Sequence, residues 1–278
     1  MDGLKIKLVA FDLDGTLFND KKEVTAETFK TLERAAEMGI EVVPATGRFW
    51  NAIPDSIRAM KFVNYMISLN GAEIVDLKNM KSLASFTIPV ERAETMCRAF
   101  DELPVLYDFV AEGQGYMKRE HHDRIPEMMI GEWQVKVMRD LREPVDDIYG
   151  VLRAQKGVQK MQIYTLDKTL RENLLRSLPY VFPNVLFTSS VPNNIEINDT
   201  RANKGDGLKF LTEYLGLPIE STLAFGDGLN DISMIKAAGI GAAMANAVAE
   251  VKEAADYVTL DCNNDGVAEG VKRFCFGQ

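Results

Sequence analysis

The sequence predicts a Rossmann-like, doubly wound α/β core built on a parallel sheet, with an α+β domain inserted into it. Three observations carry that expectation. Short apolar runs rich in β-formers stop at polar, glycine-containing segments, as buried parallel strands do at their carboxyl ends. Helical patterns stand between these runs, at a spacing that suits right-handed βαβ units. The texture then changes between about residues 86 and 190 and afterwards returns to the first rhythm.

Taken in order, residues 6–11 (IKLVAF) read as a buried strand followed by a loop. Thr25 is placed to cap a helix whose Phe29, Leu32 and Ala36 share a face and whose stop is Gly39. IEVVPA at 40–45 is the next strand, a helix is expected near 50–60, and VNYMISL at 63–69 is a strand ending at Asn70-Gly71. Near the C-terminus a helix from Lys204 to Leu215 closes at Gly216. TLAFG at 222–226, a helix at 229–238, IGAAM at 240–244, a helix at 247–255 and a short strand at Tyr257-Val258 complete the core. Between the halves, the EGQG segment at 112–115 suggests a hairpin and VQKMQIYT at 158–165 alternates as a strand. The expected division is a core in two segments, 1–85 and 191–278, around an inserted domain at 86–190.

Composition narrows the function. With 278 residues, 46% of them hydrophobic and 26% charged, the chain can bury a substantial core and is an ordinary globular protein. A net charge of −9 argues against general affinity for nucleic acid or an anionic membrane, so any anionic ligand needs a local positive site. Cys97, Cys262 and Cys275 form no CxxC pair and read as reduced thiols of a cytosolic protein. The apolar stretch after Lys5 and Lys7 meets Asp12 and Asp14 too soon for a signal peptide, and no run of 18 apolar residues occurs, so a soluble, unexported protein is expected.

Ligands of open α/β sheets gather beyond the carboxyl ends of the strands, which singles out four places. In FDLDGTL (11–17), Asp12 and Asp14 lie two apart on a strand leaving its last turn and point the same way. Two such carboxylates either share a hard cation such as Mg²⁺, or form an Asx turn in which Thr16 caps the loop. ATGR (45–48) offers the Thr46 hydroxyl, a close amide at Gly47 and the Arg48 guanidinium, which suit phosphate but also an ordinary turn. Lys204 opens a helix, where the macrodipole favours anions; an anion beside it would resolve the conflict, and a plain surface lysine is the other reading. GDGLND (226–231) adds Asp227, Asp231 and Asn230 between glycines, as a metal or phosphate site or as a capped helix start.

FDLDGTL, ATGR, Lys204 and GDGLND, in that order, resemble the four motifs of the haloacid dehalogenase superfamily. The GDGxND form and the insert between the second and third motifs are similar to its Cof-like phosphatases with a type-two cap. The resemblance covers essentially the whole chain, although within the cap it rests on length and coarse pattern. It implies a Mg²⁺-dependent phosphatase of small phosphorylated metabolites, sugar phosphates among them, working through an aspartyl-phosphate. Asp12 would be the nucleophile and Asp14 the proton donor and acceptor. Asp12, the Asp14 main-chain carbonyl and Asp227 would hold the ion. The Leu13 amide, Thr46, Gly47, Lys204 and Asn230 would bind the phosphoryl group, and Asp231 would orient Lys204 or metal-bound water.

Arg48 either contacts substrate or braces its loop, and Asn70 in LNGA either serves the site or makes a turn. Phe109, Tyr116, Trp133 and Tyr164 either line a substrate surface in the cap or pack its core, while His121-His122 reads as a solvated turn. A phospho-receiver domain shares an acceptor Asp, a Thr and a Lys but needs about half this length and no second carboxylate at Asp14. A phosphosugar mutase of the same superfamily is the nearer alternative. A dinucleotide enzyme has no support, because GxGxxG and GxxxxGK[ST] are both absent.

Overall fold

A computed structural model describes residues 5–129, 131–189 and 191–278. In chain order its strands are β1 (Leu8–Phe11), β2 (Glu41–Pro44), β3 (Tyr65–Ser68), β4 (Glu73–Asp76), β5 (Lys81–Ser85), β6 (Leu106–Ala111), β7 (Gln114–Lys118), β8 (Arg142–Val145), β9 (Lys160–Tyr164), β10 (Val185–Thr188), β11 (Asn194–Asp199), β12 (Thr222–Gly226), β13 (Ile240–Ala243) and β14 (Tyr257–Val258). The chain divides into two compact units: Met1–Arg48, Ile53–Ala84 and Asn203–Gln278 form the first, Phe49–Ala52 and Ser85–Ala202 the second.

The first unit is the α/β core. Its sheet runs β14-β13-β12-β1-β2, and every pairing in it is parallel. From β1 the chain goes to β2 on one side and later returns to β12 on the other, which makes the gap between β1 and β12 the topological switch point. LVAF of β1 is buried throughout, as a strand covered on both faces must be. The helix Ala26–Glu37 starts where Thr25 accepts the Thr28 amide, and it buries Thr28, Leu32 and Ala35. The expected Phe29 and Ala36 flank that stripe, half-buried.

Two expectations change here. Instead of a helix across 50–60 there is a 3₁₀ turn, Trp50–Ala52, and one turn of α-helix, Asp55–Arg58. Pro54 between them lacks an amide hydrogen and holds the residue before it out of the α region. The strand at 63–69 is not a full parallel member of the sheet: β3 meets Ala45, the residue after β2, through the isolated parallel bridge Ala45–Ile67, and pairs antiparallel with β4. Together with β5 it makes a separate three-stranded sheet.

The second unit is built on a six-stranded sheet ordered β10-β11-β9-β6-β7-β8, antiparallel except for β7 with β8. Its second segment runs Ser85–Ala202 rather than 86–190, because β11 pairs with β9 and β10 and therefore belongs to this sheet. The EGQG segment is a hairpin whose turn residues, Glu112 and Gly113, have φ of 49° and 76°. One sheet face, with Tyr107, Phe109, Met161, Ile163, Ile195 and Ile197, packs against Cys97, Phe100, Leu152, Leu174 and Leu178. On the other face Leu106, Met117 and Tyr164 meet Ile125, Met129 and Met138.

Of the aromatic residues considered for the insert, Phe109, Tyr116 and Tyr164 are packing residues. Phe109 is fully buried with Tyr116 against it, and the buried Tyr164 hydroxyl donates to Asp108 at 3.0 Å. The side chain of Trp133 lies outside the described residues. His121 is not in a solvated turn; it is 6% exposed in the short helix Arg119–Asp123. Its Nδ1 accepts the Tyr107 amide at 3.3 Å, and its ring stands edge-on to Tyr107. Burial holds its pKa below the ordinary histidine value. His122, on the next position of that helix, is half-exposed.

Candidate active site

Parallel strands in register end side by side. Phe11 of β1 stands opposite Pro44 of β2 and Phe225 of β12, so the residues that follow them emerge at one edge of the sheet. Asp12 follows β1, its amide still bonded to the Phe225 carbonyl at 3.1 Å and its side chain largely buried. Asp227 follows β12.

Beyond Asp12 the chain folds into a tight turn, with Leu17 donating to the Asp12 carbonyl and Phe18 to that of Leu13. Gly15 makes the turn possible. Its φ is +87°, and a Cβ there would lie 2.4 Å from Asp227 Oδ2, so only glycine lets this loop rest against that carboxylate. Thr16 then donates its hydroxyl to Asp227 Oδ1 at 2.7 Å. The sequence placed Thr16 only as an alternative loop cap; its position in FDLDGTL was the signal for a larger part.

Lys204 resolves the helix-terminus conflict with two anions. It begins the helix Lys204–Tyr214, which Asn203 caps by accepting the Asp206 amide at 2.8 Å. The ammonium is wholly buried and donates to Asp12 Oδ1 at 2.5 Å and Asp231 Oδ1 at 2.6 Å. Asp231 Oδ2 in turn accepts the amides of Asp227 and Gly228, each at 2.9 Å. Both Asp231 oxygens are thus committed to protein donors.

The second strand end joins the same network. The Thr46 amide bonds the Ile67 carbonyl, its carbonyl accepts the Asn70 amide at 2.9 Å, and its hydroxyl accepts the Arg48 amide at 3.2 Å across Gly47. Asn70 is held at φ +60° and accepts the side-chain amide of Asn230 at 3.1 Å, with both residues buried. Asn70 is therefore both a turn residue and a neighbour of the acidic motif. Asp14 points to cations. Arg48 grips it with Nε to Oδ2 at 2.7 Å and Nη2 to Oδ1 at 2.9 Å, and Lys22 reaches Oδ1 at 3.0 Å. Lys22 carried no sequence signal.

The charges are unbalanced in an informative way. Burial, aided by the charges of Asp231, Asp227 and Asp14, pushes the Asp12 carboxyl well above its ordinary value despite Lys204. Burial and Asp231 raise Asp227 to about 7, against the lowering effect of the Thr16 hydrogen bond. Burial would also raise Asp14, but the hydrogen bonds and charges of Arg48 and Lys22 win and hold it below the usual carboxylate range. Oxygen atoms of Asp12, Asp227 and Asp231 lie within 4.8 Å of one another. Hard oxygen donors this crowded, with one buried ammonium among them, are a donor set for a divalent cation such as Mg²⁺. With Asp231 spent on Lys204 and two amides, Asp12 and Asp227 are the side chains that fit it.

A doubly wound sheet with carboxylates from two strand ends and a buried lysine at its switch point is an α/β fold with charged groups on the edge where ligands of such sheets gather. Comparison with known proteins makes the class specific. The family model for haloacid dehalogenase-like hydrolases matches residues 9–271. The chain is 31% identical over 274 residues to 5-amino-6-(5-phospho-D-ribitylamino)uracil phosphatase YcsE of Bacillus subtilis, covering 98% of this chain and 97% of that one. Among solved structures, a haloacid dehalogenase-like hydrolase from B. subtilis superposes with a TM-score of 0.83 at 30% identity, over 96% of this chain and 99% of that one. The subclass IIB sugar phosphatase BT4131 superposes at 0.79 with 26% identity, over 96% and 98%. This chain belongs to the haloacid dehalogenase-like hydrolases. Its enzyme class is phosphoric monoester hydrolase.

Proposed function

We propose that the enzyme is a Mg²⁺-dependent phosphatase of small phosphorylated metabolites, sugar phosphates among them, acting in the cytoplasm through an aspartyl-phosphate. The observation that supports this most is the convergence of Asp12, Asp227 and Asp231 around the buried Lys204 ammonium at the switch point. The names of YcsE, whose substrate carries a phosphorylated ribityl group, and of the sugar phosphatase support the substrate class. The three cysteines, all free thiols, and the lack among described residues of a helix able to cross a membrane suit the location.

In this reading an Asp12 oxygen forms a bond to phosphorus, the ester P–O bond breaks, and the leaving alcohol takes a proton from Asp14. Asp14 then takes a proton from a water whose oxygen attacks phosphorus. The bond to Asp12 breaks, and inorganic phosphate leaves with both residues restored. Asp14 gains its first proton because a phosphate dianion beside it opposes Arg48 and Lys22. Lys204, the Thr46 hydroxyl, Asn230 and the amides of Leu13 and Gly47 hold the phosphoryl oxygens. Asp231 orients Lys204, Arg48 braces Asp14, and Asn70 orients Asn230. Asp12, the Asp14 carbonyl and Asp227 would hold Mg²⁺, which would supply neutralisation of the charge shared by nucleophile and phosphate. The second unit is read as the cap that selects the organic group.

The test is phosphate release from a panel of phosphorylated metabolites with magnesium or with EDTA, on wild type and Asp12→Asn. Release should require magnesium and fall by at least about 10³-fold in the variant. An Asp12→Asn protein that retains a tenth of the activity, by rough estimate, rules out the nucleophile. An isomeric phosphate in place of free phosphate identifies a mutase.

A further inference from the structure

Eight residues beyond Asp14 the chain makes a turn that is costly for the residue closing it. Lys22 sits at φ +62°, in the left-handed region where glycine or asparagine is the low-strain choice. The turn is nonetheless firmly built. Asn19 Oδ1 accepts the amides of Lys21 at 2.9 Å and Glu23 at 3.0 Å, and the Lys22 amide donates to the Asn19 carbonyl at 2.9 Å. Asn263 ties the same turn down, accepting the Asp20 amide and donating to the Asp20 carboxylate, each at 3.0 Å.

From this fixed base the Lys22 ammonium reaches Asp14 Oδ1 at 3.0 Å, the same oxygen that takes Arg48 Nη2. A turn that only reversed the chain would have no use for a lysine in this conformation. Nor is stability a sufficient reason, since the Lys22 side chain is 40% exposed and so open an ion pair contributes little. What the pair adds is direction. Arg48 holds both oxygens of the carboxylate, while the ammonium arrives from a separate segment and holds Oδ1 from a second direction.

We propose that Lys22 is a positioning residue for Asp14, holding its carboxylate in the orientation from which a proton is passed to the leaving group. This rests on the proton-carrier role given to Asp14 above. The dependence is sharpest where the leaving group needs the proton most, in alkyl rather than aryl phosphates.

The experiment is steady-state kinetics of Lys22→Met, Lys22→Arg, Lys22→Gly and Asp14→Ala on p-nitrophenyl phosphate and on a hexose phosphate. Lys22→Met should lose about tenfold in kcat on the hexose phosphate and about twofold on the aryl ester, a fraction of what general acid catalysis supplies, with KM moving less than kcat. Lys22→Arg should recover most of the loss. Lys22→Gly removes the strain as well as the ammonium, and should lose as much as Lys22→Met. Equal losses on both esters in Lys22→Met, or wild-type rates in Lys22→Gly, overturn the proposal. Asp14→Ala tells the two readings apart: if it shows the alkyl-over-aryl split and Lys22→Met does not, only the Lys22 assignment falls. If Asp14→Ala shows no split, the acid role fails and takes the Lys22 assignment with it.

Discussion

Lys204 has no exposed surface and faces two carboxylates, at 2.5 and 2.6 Å. A neutral side chain of similar length would leave Asp12 and Asp231 buried against each other with nothing between them. Breaking such a pair from one side costs about 3–5 kcal/mol, far more than the intact pair contributes. Lys204→Met should therefore lower the unfolding free energy obtained by urea titration by that amount, and Lys204→Met/Asp231→Asn should recover part of it. A single variant as stable as wild type contradicts the charge balance described for the site. The helix position of Lys204 left an anion neighbour and a plain surface lysine both open, and its place in order among the four motifs singled it out. Lys22 was not legible, since its partner is set by a left-handed backbone that no local pattern announced.

Elements were readable where burial is two-sided. LVAF and TLAFG are buried throughout, as strands whose sheet is covered on both faces are, and their shared register brings Asp12 and Asp227 to one edge. The hairpin β3-β4 escaped because its strands are four residues each, too short for a period of two to differ from a run. β11 was misplaced for another reason: NIEIND alternates, yet Asn194, Glu196 and Asn198 are as buried as the isoleucines between them. That face of the second sheet holds its polar groups by mutual pairing. Asp108, fully buried on β6, accepts from Arg142 of β8 at 2.8 Å and from Gln162 and Tyr164 of β9. Asp108→Ala should destabilise the protein by about 3–5 kcal/mol, since it strands the buried Arg142 charge. Hydrogen exchange should quicken first in β6, β8 and β9; unchanged protection there would show that the sheet does not depend on this junction.

Across the whole molecule, the site's acidity couples to stability. Asp227 has a carboxyl raised from 3.8 to about 7 by burial and by Asp231. Between those values the native state holds a proton that the unfolded chain has released, so stability without metal falls as pH rises through the window and levels off above it. His121, lowered by burial, acts the opposite way: its contribution is complete above the ordinary histidine value and is lost as pH falls below it. Comparing wild type with Asp227→Asn isolates the first effect. In EDTA, the drop in thermal midpoint from about pH 5 to about pH 8 should be steeper in wild type, and magnesium at a hundredfold excess over its Kd should restore about 2.7 kcal/mol. Identical slopes in the two proteins would remove Asp227 from the account.

The strand order has a last consequence, for synthesis. Because β12 inserts between β1 and β13, the first strand waits for a neighbour encoded more than two hundred residues later. Until β12 has been translated, β1 has only β2 beside it, whereas Ser85–Ala202 already carries an apolar interior of its own. The emerging polypeptide can thus pack Ser85–Ala202 before the sheet that flanks it in sequence, and Asp12 cannot meet Asp227 until β12 has been made.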